Sequence, residues 1–103
     1  MQKVATMRFI YDPRKSELNN EKHGIDFEEA KALWDDPSVI EAPSNKCGEQ
    51  RWAAIGRMSG SYWTAIYAKR DYAIRIISVR RATQKEISRY DKAYAEHERR
   101  RVR

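Results

Sequence analysis

The fold is decided by three consecutive segments, RWAAIGRM (Arg51–Met58), YWTAIYAK (Tyr62–Lys69) and AIRIISVRR (Ala73–Arg81). Each segment is rich in β-branched and aromatic residues, which favour β-strands. The connections between the segments, Ser59–Ser61 and Arg70–Tyr72, have lengths that are typical of hairpins. The pattern therefore predicts a meander of antiparallel strands.

Two helices are predicted upstream of this meander. Asp12-Pro13 is a pair that commonly opens a helix, and Gly24 is a typical C-terminal glycine, so the first helix lies between them. Asp26 opens the second helix, because Glu29 three residues later completes a capping box. That helix ends at Asp36-Pro37. Its predicted buried stripe consists of Phe27, Ala30, Leu33 and Trp34.

Two short strands and a final helix complete the predicted order of elements. We expect strands at Met7–Tyr11 and Val39–Ala42. The final helix opens at a second capping box formed by Thr83 and Glu86, and it carries Ile87, Tyr90 and Tyr94 on one face. The predicted order is β-α-α-β-β-β-β-α. This is an α+β domain in which helices pack on an antiparallel sheet.

A chain of 103 residues predicts a single domain. We assign this domain to residues 7–95, an N-terminal extension to residues 1–6, and a basic tail that frays to residues 96–103. No apolar run is long enough to cross a membrane, and the first residues lack the apolar core of a signal peptide. Cys47 is the only cysteine, so no intramolecular disulfide is possible. We therefore expect a cytoplasmic protein.

Positive charge is concentrated in the second half of the chain. Residues 1–50 contain 7 Lys/Arg and 10 Asp/Glu, a net charge of −3, whereas residues 51–103 contain 14 and 5, a net charge of +9. This asymmetry favours a polyanionic partner, most often nucleic acid, and an acidic protein partner could use the same surface. The alternative is a solvated basic face that only aids solubility.

Arginines on or beside the predicted strands are the main candidates for a functional role. The sequence has no glycine-rich phosphate loop, nucleophile elbow or Cys/His metal cluster, so neither a metal nor a cofactor is predicted. A planar guanidinium group can bind two phosphate oxygens at once, or it can pair with a helix carboxylate. Strand alternation predicts Arg75 and Arg81 on one face of the sheet and Arg80 on the other. The complete set is Arg51, Arg57, Arg75, Arg80 and Arg81.

The histidine and the aromatic residues each have two interpretations. His23 lies in the last turn of a predicted helix, where it interacts favourably with the helix dipole. It could also serve as a general acid or base, because histidine exchanges protons near neutral pH. Aromatic residues of the meander could stack on bases, but they are more often core residues. These are Tyr62, Trp63, Tyr67 and Tyr72.

Three ordered blocks give the chain a family resemblance over about residues 7–93. The first block is YDPRKSELNNEKHGIDFEEAKALWDDP (11–37), in which Asn19, Lys22-His23-Gly24 and Phe27 match the pattern N-x-x-K-H-G-[VI]-x-F-x-E-A. The others are EQRWAAIGR (49–57) and IRIISVRRATQKEISRYDKA (74–93). Together the blocks resemble the BrnT family, the ribonuclease toxins of type II toxin–antitoxin systems. The chain departs from the family pattern at Tyr11, Val79 and Ile87, which stand in place of Trp, Ala and Arg.

The resemblance implies a RelE-like fold and RNA cleavage that uses no metal or other cofactor. Such cleavage proceeds by attack of the 2′-hydroxyl on the adjacent phosphate, which requires a base, an acid and positive charge at the phosphorane. The implied partners are RNA and an antitoxin of the BrnA type, a ribbon-helix-helix protein through which the complex binds operator DNA. The candidate catalytic residues are Arg75, Arg80 and Arg81 for charge, with Lys22, His23, Glu49 and Glu86 for proton transfer. The candidate RNA-binding residues are Lys22, Arg51, Arg57, Arg89 and Tyr90.

A non-enzymatic interpretation stays open beside this one. A basic module that binds nucleic acid or an acidic partner without cleaving RNA would have the same composition. A toxin that has lost its activity but still binds its antitoxin would also have the same sequence features.

Overall fold

The structure is a computed structural model that describes residues 7–44 and 48–101. The predicted extension at residues 1–6 and Cys47 lie outside the described residues. The α+β class is confirmed, and the observed order differs from the predicted one by a 3₁₀ helix that continues the second α-helix. The elements are β1 (Arg8–Ile10), α1 (Pro13–His23), α2 (Phe27–Ala30), the 3₁₀ helix (Lys31–Asp35), β2 (Ile40–Pro43), β3 (Trp52–Met58), β4 (Ser61–Arg70), β5 (Ala73–Arg81) and α3 (Gln84–Arg101).

The five strands form one mixed sheet in the order β1-β5-β4-β3-β2. The antiparallel meander is confirmed, since β2, β3, β4 and β5 pair in sequence with antiparallel register. The prediction of a wholly antiparallel sheet is wrong, because β1 pairs with β5 in parallel. A parallel pair needs a long crossover rather than a hairpin, and the whole chain between β1 and β5 serves as that connection.

The helices before the meander cover one face of the sheet, which we call the helix face. Phe27 and Leu33 are almost completely buried there against Tyr67 and Val79 of β4 and β5. Trp34 packs edge-on against Tyr67, with ring centroids 5.4 Å apart. The predicted buried stripe of the second helix is therefore confirmed, with Trp34 only partly buried.

The predicted ends of α1 and the predicted start of α2 follow from their caps, whereas α2 gives way to the 3₁₀ helix at Lys31, before the predicted end at Asp36. Asp12 accepts a hydrogen bond from the backbone N–H of Arg14, and Gly24 closes α1 in the left-handed conformation with φ 76°. Asp26 and Glu29 bond reciprocally, which confirms the capping box. These local bonds satisfy backbone groups that a helix end leaves without an intrahelical partner.

A β-bulge in β5 changes the face on which its arginines lie. Ile66 of β4 pairs with Ser78 and Tyr67 pairs with Ile76, so Ile77 has no partner in the register. Because an extra residue reverses the alternation beyond it, Arg80 lies on the same face as Arg75. The prediction from simple alternation is therefore wrong, and Arg81 lies on the helix face, where it pairs with Trp63.

The opposite face of the sheet carries α3 at one end. Thr83 and Glu86 form the predicted capping box at its start. Tyr90 is 3% exposed and packs edge-on against Tyr62 of β4. The helix is regular through Arg101, so it extends into the segment for which fraying was predicted. No helix among the described residues is long and apolar enough to cross a membrane.

Candidate nucleic-acid interface

On the side of the sheet opposite the helix face, α3 covers only one end. The uncovered part of this side carries arginines of β5, and we call it the open face. Arg75 pairs with Ala68 and Arg80 with Thr64, so both arginines lie on the side opposite the helix face. Ala68 and Thr64 are four residues apart on β4, which separates the two Cα positions by about 13 Å along the strand. Ser78 lies between them on the same face and is partly exposed.

The charge of Arg75 has no counter-ion in the described part of the chain. Within residues 7–44 and 48–101, its half-buried side chain forms no ion pair and no hydrogen bond. A guanidinium group fixed on a sheet without an acidic partner is suited to an anionic ligand, because its donors are not already occupied.

Basic residues of two helices flank the open face. On one side, Lys15, Lys22 and His23 of α1 line a shallow hollow together with Ile77 and Ser78 of β5. On the other side, Arg89 and Lys92 of α3 line a hollow with Ile40 of β2. Lys22, His23 and Arg89 were predicted from the sequence, and the fold brings them to the borders of the face that carries Arg75 and Arg80.

Arg80 is held by a bidentate ion pair with Glu86. Its Nη1 and Nη2 atoms donate to the two carboxylate oxygens at 2.8 and 3.0 Å. The hydroxyl of buried Thr64 and the backbone N–H of Thr83 also donate to this carboxylate, each at 2.8 Å. The hydrogen bonds from Arg80 are the main cause that lowers the pKa of Glu86 to about 2. Glu86 is therefore ionised at neutral pH, and both of its carboxylate oxygens accept hydrogen bonds.

Glu49 lies at the other end of the sheet. Its carboxylate pairs with Arg70 at the end of β4. Arg70 is six residues from Thr64, so the Cα positions of the β4 residues that contact Glu49 and Glu86 are roughly 20 Å apart along the strand. The two glutamates that were predicted for proton transfer do not lie in one site.

Arg51 precedes β3 and has an unusual buried donor. Its Nε atom is buried and has no hydrogen-bond partner among the described residues. Such unsatisfied buried donors are rare, because each costs about 1–3 kcal/mol. This atom is not accessible to a ligand, so the candidacy of Arg51 for RNA binding rests on the sequence alone.

Three of the predicted site residues lie outside the open face. Arg81 is on the helix face, with its guanidinium carbon 4.7 Å from the centroid of the Trp63 ring. Arg57 lies over Tyr62, whose hydroxyl donates to Asp91 of α3. Tyr90 is a core residue rather than an exposed stacking platform, and its hydroxyl donates to Asp36 at 2.8 Å. Burial and Asp36 raise the pKa of Tyr90 to about 12.

Sequence reasoning missed Thr64, Ser78 and Lys15. Thr64 and Ser78 are recognisable only once the bulge and the register of β4 and β5 are known, since both lie inside strand patterns. Lys15 could have been found, because it lies seven residues before Lys22 and therefore on the same side of α1. No group of three or more His, Cys, Asp or Glu residues within the described ranges is arranged to hold a metal ion.

The comparison with protein families identifies the family of the chain. The model of the BrnT family, described as the ribonuclease toxin of a type II toxin–antitoxin system, matches residues 11–86. The chain belongs to the BrnT family. The match begins just before α1, includes the whole meander and ends at Glu86 in the first turn of α3. No curated protein matches the chain.

Membership of the BrnT family indicates the general activity of the chain. The family consists of ribonuclease toxins, so RNA is the target, and a type II system provides an antitoxin as the partner. The matched range contains Lys22, His23, Arg75, Arg80 and Glu86.

Proposed function

We propose that this BrnT toxin is an endoribonuclease that needs no metal ion and that cleaves RNA on the open face of its sheet. The observation that carries the proposal is the common face of Arg75 and Arg80, with Arg80 held by Glu86. The guanidinium group of Arg80 on a rigid sheet can stabilise the charge that develops on a phosphorane. Arg75, about 13 Å away along the strand, can bind another phosphate of the same RNA. Lys22, Arg51 and Arg89 would bind neighbouring phosphates of the strand.

His23 is the proposed proton-transfer residue. It ends α1 beside Ser78, which lies between Arg75 and Arg80 on the open face. A histidine in this place can accept the 2′-hydroxyl proton or protonate the leaving oxygen. Glu86 and Glu49 are not proposed for this role, because both carboxylates are engaged by arginines. Lys22 supplies charge next to His23.

We further propose that the toxin inhibits translation in the cytoplasm and is neutralised by a BrnA-like antitoxin. The antitoxin would be a ribbon-helix-helix protein that carries the complex to operator DNA. The basis is the type II family match together with the exposed basic residues. The α+β topology is compatible with a RelE-like fold, which we also propose on the family resemblance.

A non-catalytic function is the second candidate, and one observation favours it. Neither of the predicted glutamates is free to move a proton, which leaves His23 as the main acid–base group. A protein with this face, but with a His23 that does not transfer protons, would bind RNA or its antitoxin without cleaving RNA.

Cleavage of a labelled single-stranded RNA in excess EDTA tests the proposal, with DNA of the same sequence as the control. We expect the RNA to be cut into products that end in a 2′,3′-cyclic phosphate and the DNA to stay intact, because it lacks the attacking hydroxyl. RNA that is bound but not cut would support the non-catalytic function. Cleavage that disappears with EDTA would contradict metal independence.

A further inference from the structure

The ion pair between Arg80 and Glu86 uses only one end of the guanidinium group. Nη1 and Nη2 donate to Glu86, and Nη1 also donates to the backbone carbonyl of Arg81 at 3.2 Å. Guanidinium carries five N–H donors, and it can bind an oxyanion through its Nη1–Nη2 end or through its Nε–Nη2 side. In the part of the chain that the structure describes, Nε and the second Nη2 hydrogen of Arg80 have no partner. One bidentate edge therefore stays free.

The carboxylate that holds Arg80 is itself anchored by two other residues. Oε1 of Glu86 accepts from the Thr64 hydroxyl, from the Thr83 backbone N–H and from Nη1 of Arg80. Thr64 is fully buried on β4, and Thr83 caps α3. Glu86 consequently joins the sheet to the first turn of α3. A long side chain such as Arg80 loses most of its rotamer freedom when it binds such an anchor.

We propose that Glu86 is a positioning residue, which holds the Nη1–Nη2 end of Arg80 so that the Nε–Nη2 edge is presented to the phosphate at which RNA is cleaved. This inference rests on the proposed ribonuclease function and assigns Glu86 a role in it. Glu86 touches neither substrate nor reacting atoms. It acts through Arg80, whose fixed guanidinium group meets the phosphorane without reorganisation.

Two other roles for Glu86 give different expectations. A general base must take up a proton near neutral pH, whereas Glu86 has a pKa of about 2. A competing counter-ion would occupy Arg80 and would have to be displaced by RNA. In that case removal of the Glu86 charge would strengthen RNA binding and leave cleavage unchanged or faster.

Single-turnover cleavage by Glu86→Gln and Thr64→Val distinguishes these roles. Glu86→Gln keeps the size of the side chain but loses the charge and one acceptor. We expect it to lower the cleavage rate about 10- to 100-fold while the RNA concentration at half-maximal rate changes less than about threefold. We expect the dependence of its rate on pH between 5 and 8 to keep the wild-type shape. Thr64→Val keeps the charge and loses one anchor, so a smaller reduction of about 3- to 10-fold is expected.

Chemical rescue adds a readout that a purely structural role would not affect. Free guanidinium ion should restore part of the activity of Arg80→Ala, because Glu86 can hold the ion in the place of the missing side chain. The double variant Arg80→Ala/Glu86→Gln should not be rescued. Equal rescue of both variants would overturn the proposal.

The remaining outcomes also decide between the hypotheses. Full activity or tighter RNA binding in Glu86→Gln overturns the positioning role, and a change in the shape of its pH profile assigns Glu86 to proton transfer. Unfolding of Glu86→Gln would be detected by circular dichroism, and the decision then rests on Thr64→Val and on guanidinium rescue. A wild-type protein that leaves RNA intact overturns the ribonuclease function and this inference with it. An active wild type with unaffected Glu86→Gln and Thr64→Val overturns this inference alone.

Discussion

Asn19 shows how one buried polar side chain completes the sheet. β1 pairs with β5 only as far as Arg75, which leaves the outer edge of β5 without a strand beyond that point. Asn19 of α1 bonds both backbone groups of Val79 on this edge: its Oδ1 accepts from the N–H at 3.1 Å and its Nδ2 donates to the carbonyl at 3.0 Å. Nδ2 also donates to the carbonyl of Ile25 at 2.8 Å. The side chain thus replaces a neighbouring strand and fixes the loop after α1.

Replacement of Asn19 by Ala should destabilise the protein by about 1–3 kcal/mol, because the buried N–H of Val79 is left unsatisfied. Asn19→Asp should cost at least as much, since it removes both Nδ2 donors and places a carboxylate against two carbonyls. Urea denaturation measures both effects. Asn20→Ala, at the exposed neighbouring position, is the matched control, and we expect it to change stability by less than about 0.5 kcal/mol. A loss of the same size in both alanine variants would contradict the role of Asn19.

Glu86 should make the stability of the protein sensitive to acid. Its pKa is lowered from 4.5 to about 2 in the folded protein, so its contribution is present above pH 4.5 and is lost as the pH falls toward 2. We expect wild type to lose about 1–3 kcal/mol more free energy of unfolding than Glu86→Gln between pH 5 and 2.5. Chemical denaturation at a series of pH values checks this, with Glu17→Gln on exposed α1 as the control. Parallel pH curves for wild type and Glu86→Gln would show that the pair does not stabilise the fold.

At the scale of elements, Asp36 joins the 3₁₀ helix, β3 and α3. Its Oδ2 atom accepts from the backbone N–H of Arg57 at 2.7 Å and from the hydroxyl of Tyr90 at 2.8 Å, while Oδ1 accepts from the backbone N–H of Ser38. Gly56 lies against this carboxylate, and a Cβ there would approach Oδ2 to 3.1 Å. These contacts attach α3 to the side of the sheet and thereby fix the border of the open face.

Tyr90→Phe should loosen α3 without emptying the core, because it removes only the hydroxyl group, which donates to Asp36. We expect a loss of about 1–2 kcal/mol in the free energy of unfolding and faster hydrogen exchange in α3. Tyr94→Phe serves as the control, since Tyr94 is 44% exposed and stacks on Tyr90. Hydrogen exchange in α3 that is unchanged in Tyr90→Phe would contradict the link through Asp36.

Elements with local signals could be predicted from the sequence, and those that depend on tertiary pairing could not. The three-strand meander and both capping boxes are set by residues within a few positions of each other. The parallel direction of β1 depends on a partner more than sixty residues away. The bulge at Ile77 depends on the register with β4. Without the bulge, simple alternation predicts Arg75 and Arg80 on opposite faces of the sheet, which is wrong. The bidentate pair that engages Glu86 could not be predicted for the same reason.

For the molecule as a whole, the fold brings basic residues from both halves of the chain to the open face and its borders. β5 supplies Arg75 and Arg80, α3 supplies Arg89 and Lys92, and α1 adds Lys15 and Lys22 from the acidic first half. When a strand of RNA binds to this face, each of its phosphates that contacts a basic side chain releases condensed counterions.

RNA binding should therefore weaken steeply with salt. For about four phosphate contacts, the slope of the logarithm of the binding constant against the logarithm of salt concentration is about −3 for single-stranded RNA. Fluorescence anisotropy with a short labelled RNA and Arg80→Ala/His23→Ala, which prevents cleavage during the titration, measures this slope. Additional replacement of Arg75 should reduce its magnitude by about 0.7. A slope near zero would contradict phosphate binding on the open face.

The central claim is that RNA is cleaved on the open face and not on the helix face. The neighbouring residues Arg80 and Arg81 test it most directly, because they have the same chemistry and lie on opposite faces of β5. In single-turnover cleavage of one labelled RNA, Arg80→Ala should be about 100- to 1000-fold slower than wild type, and Arg81→Ala should stay within about threefold of it. Equal loss in the two variants, or a larger loss in Arg81→Ala, would contradict the account.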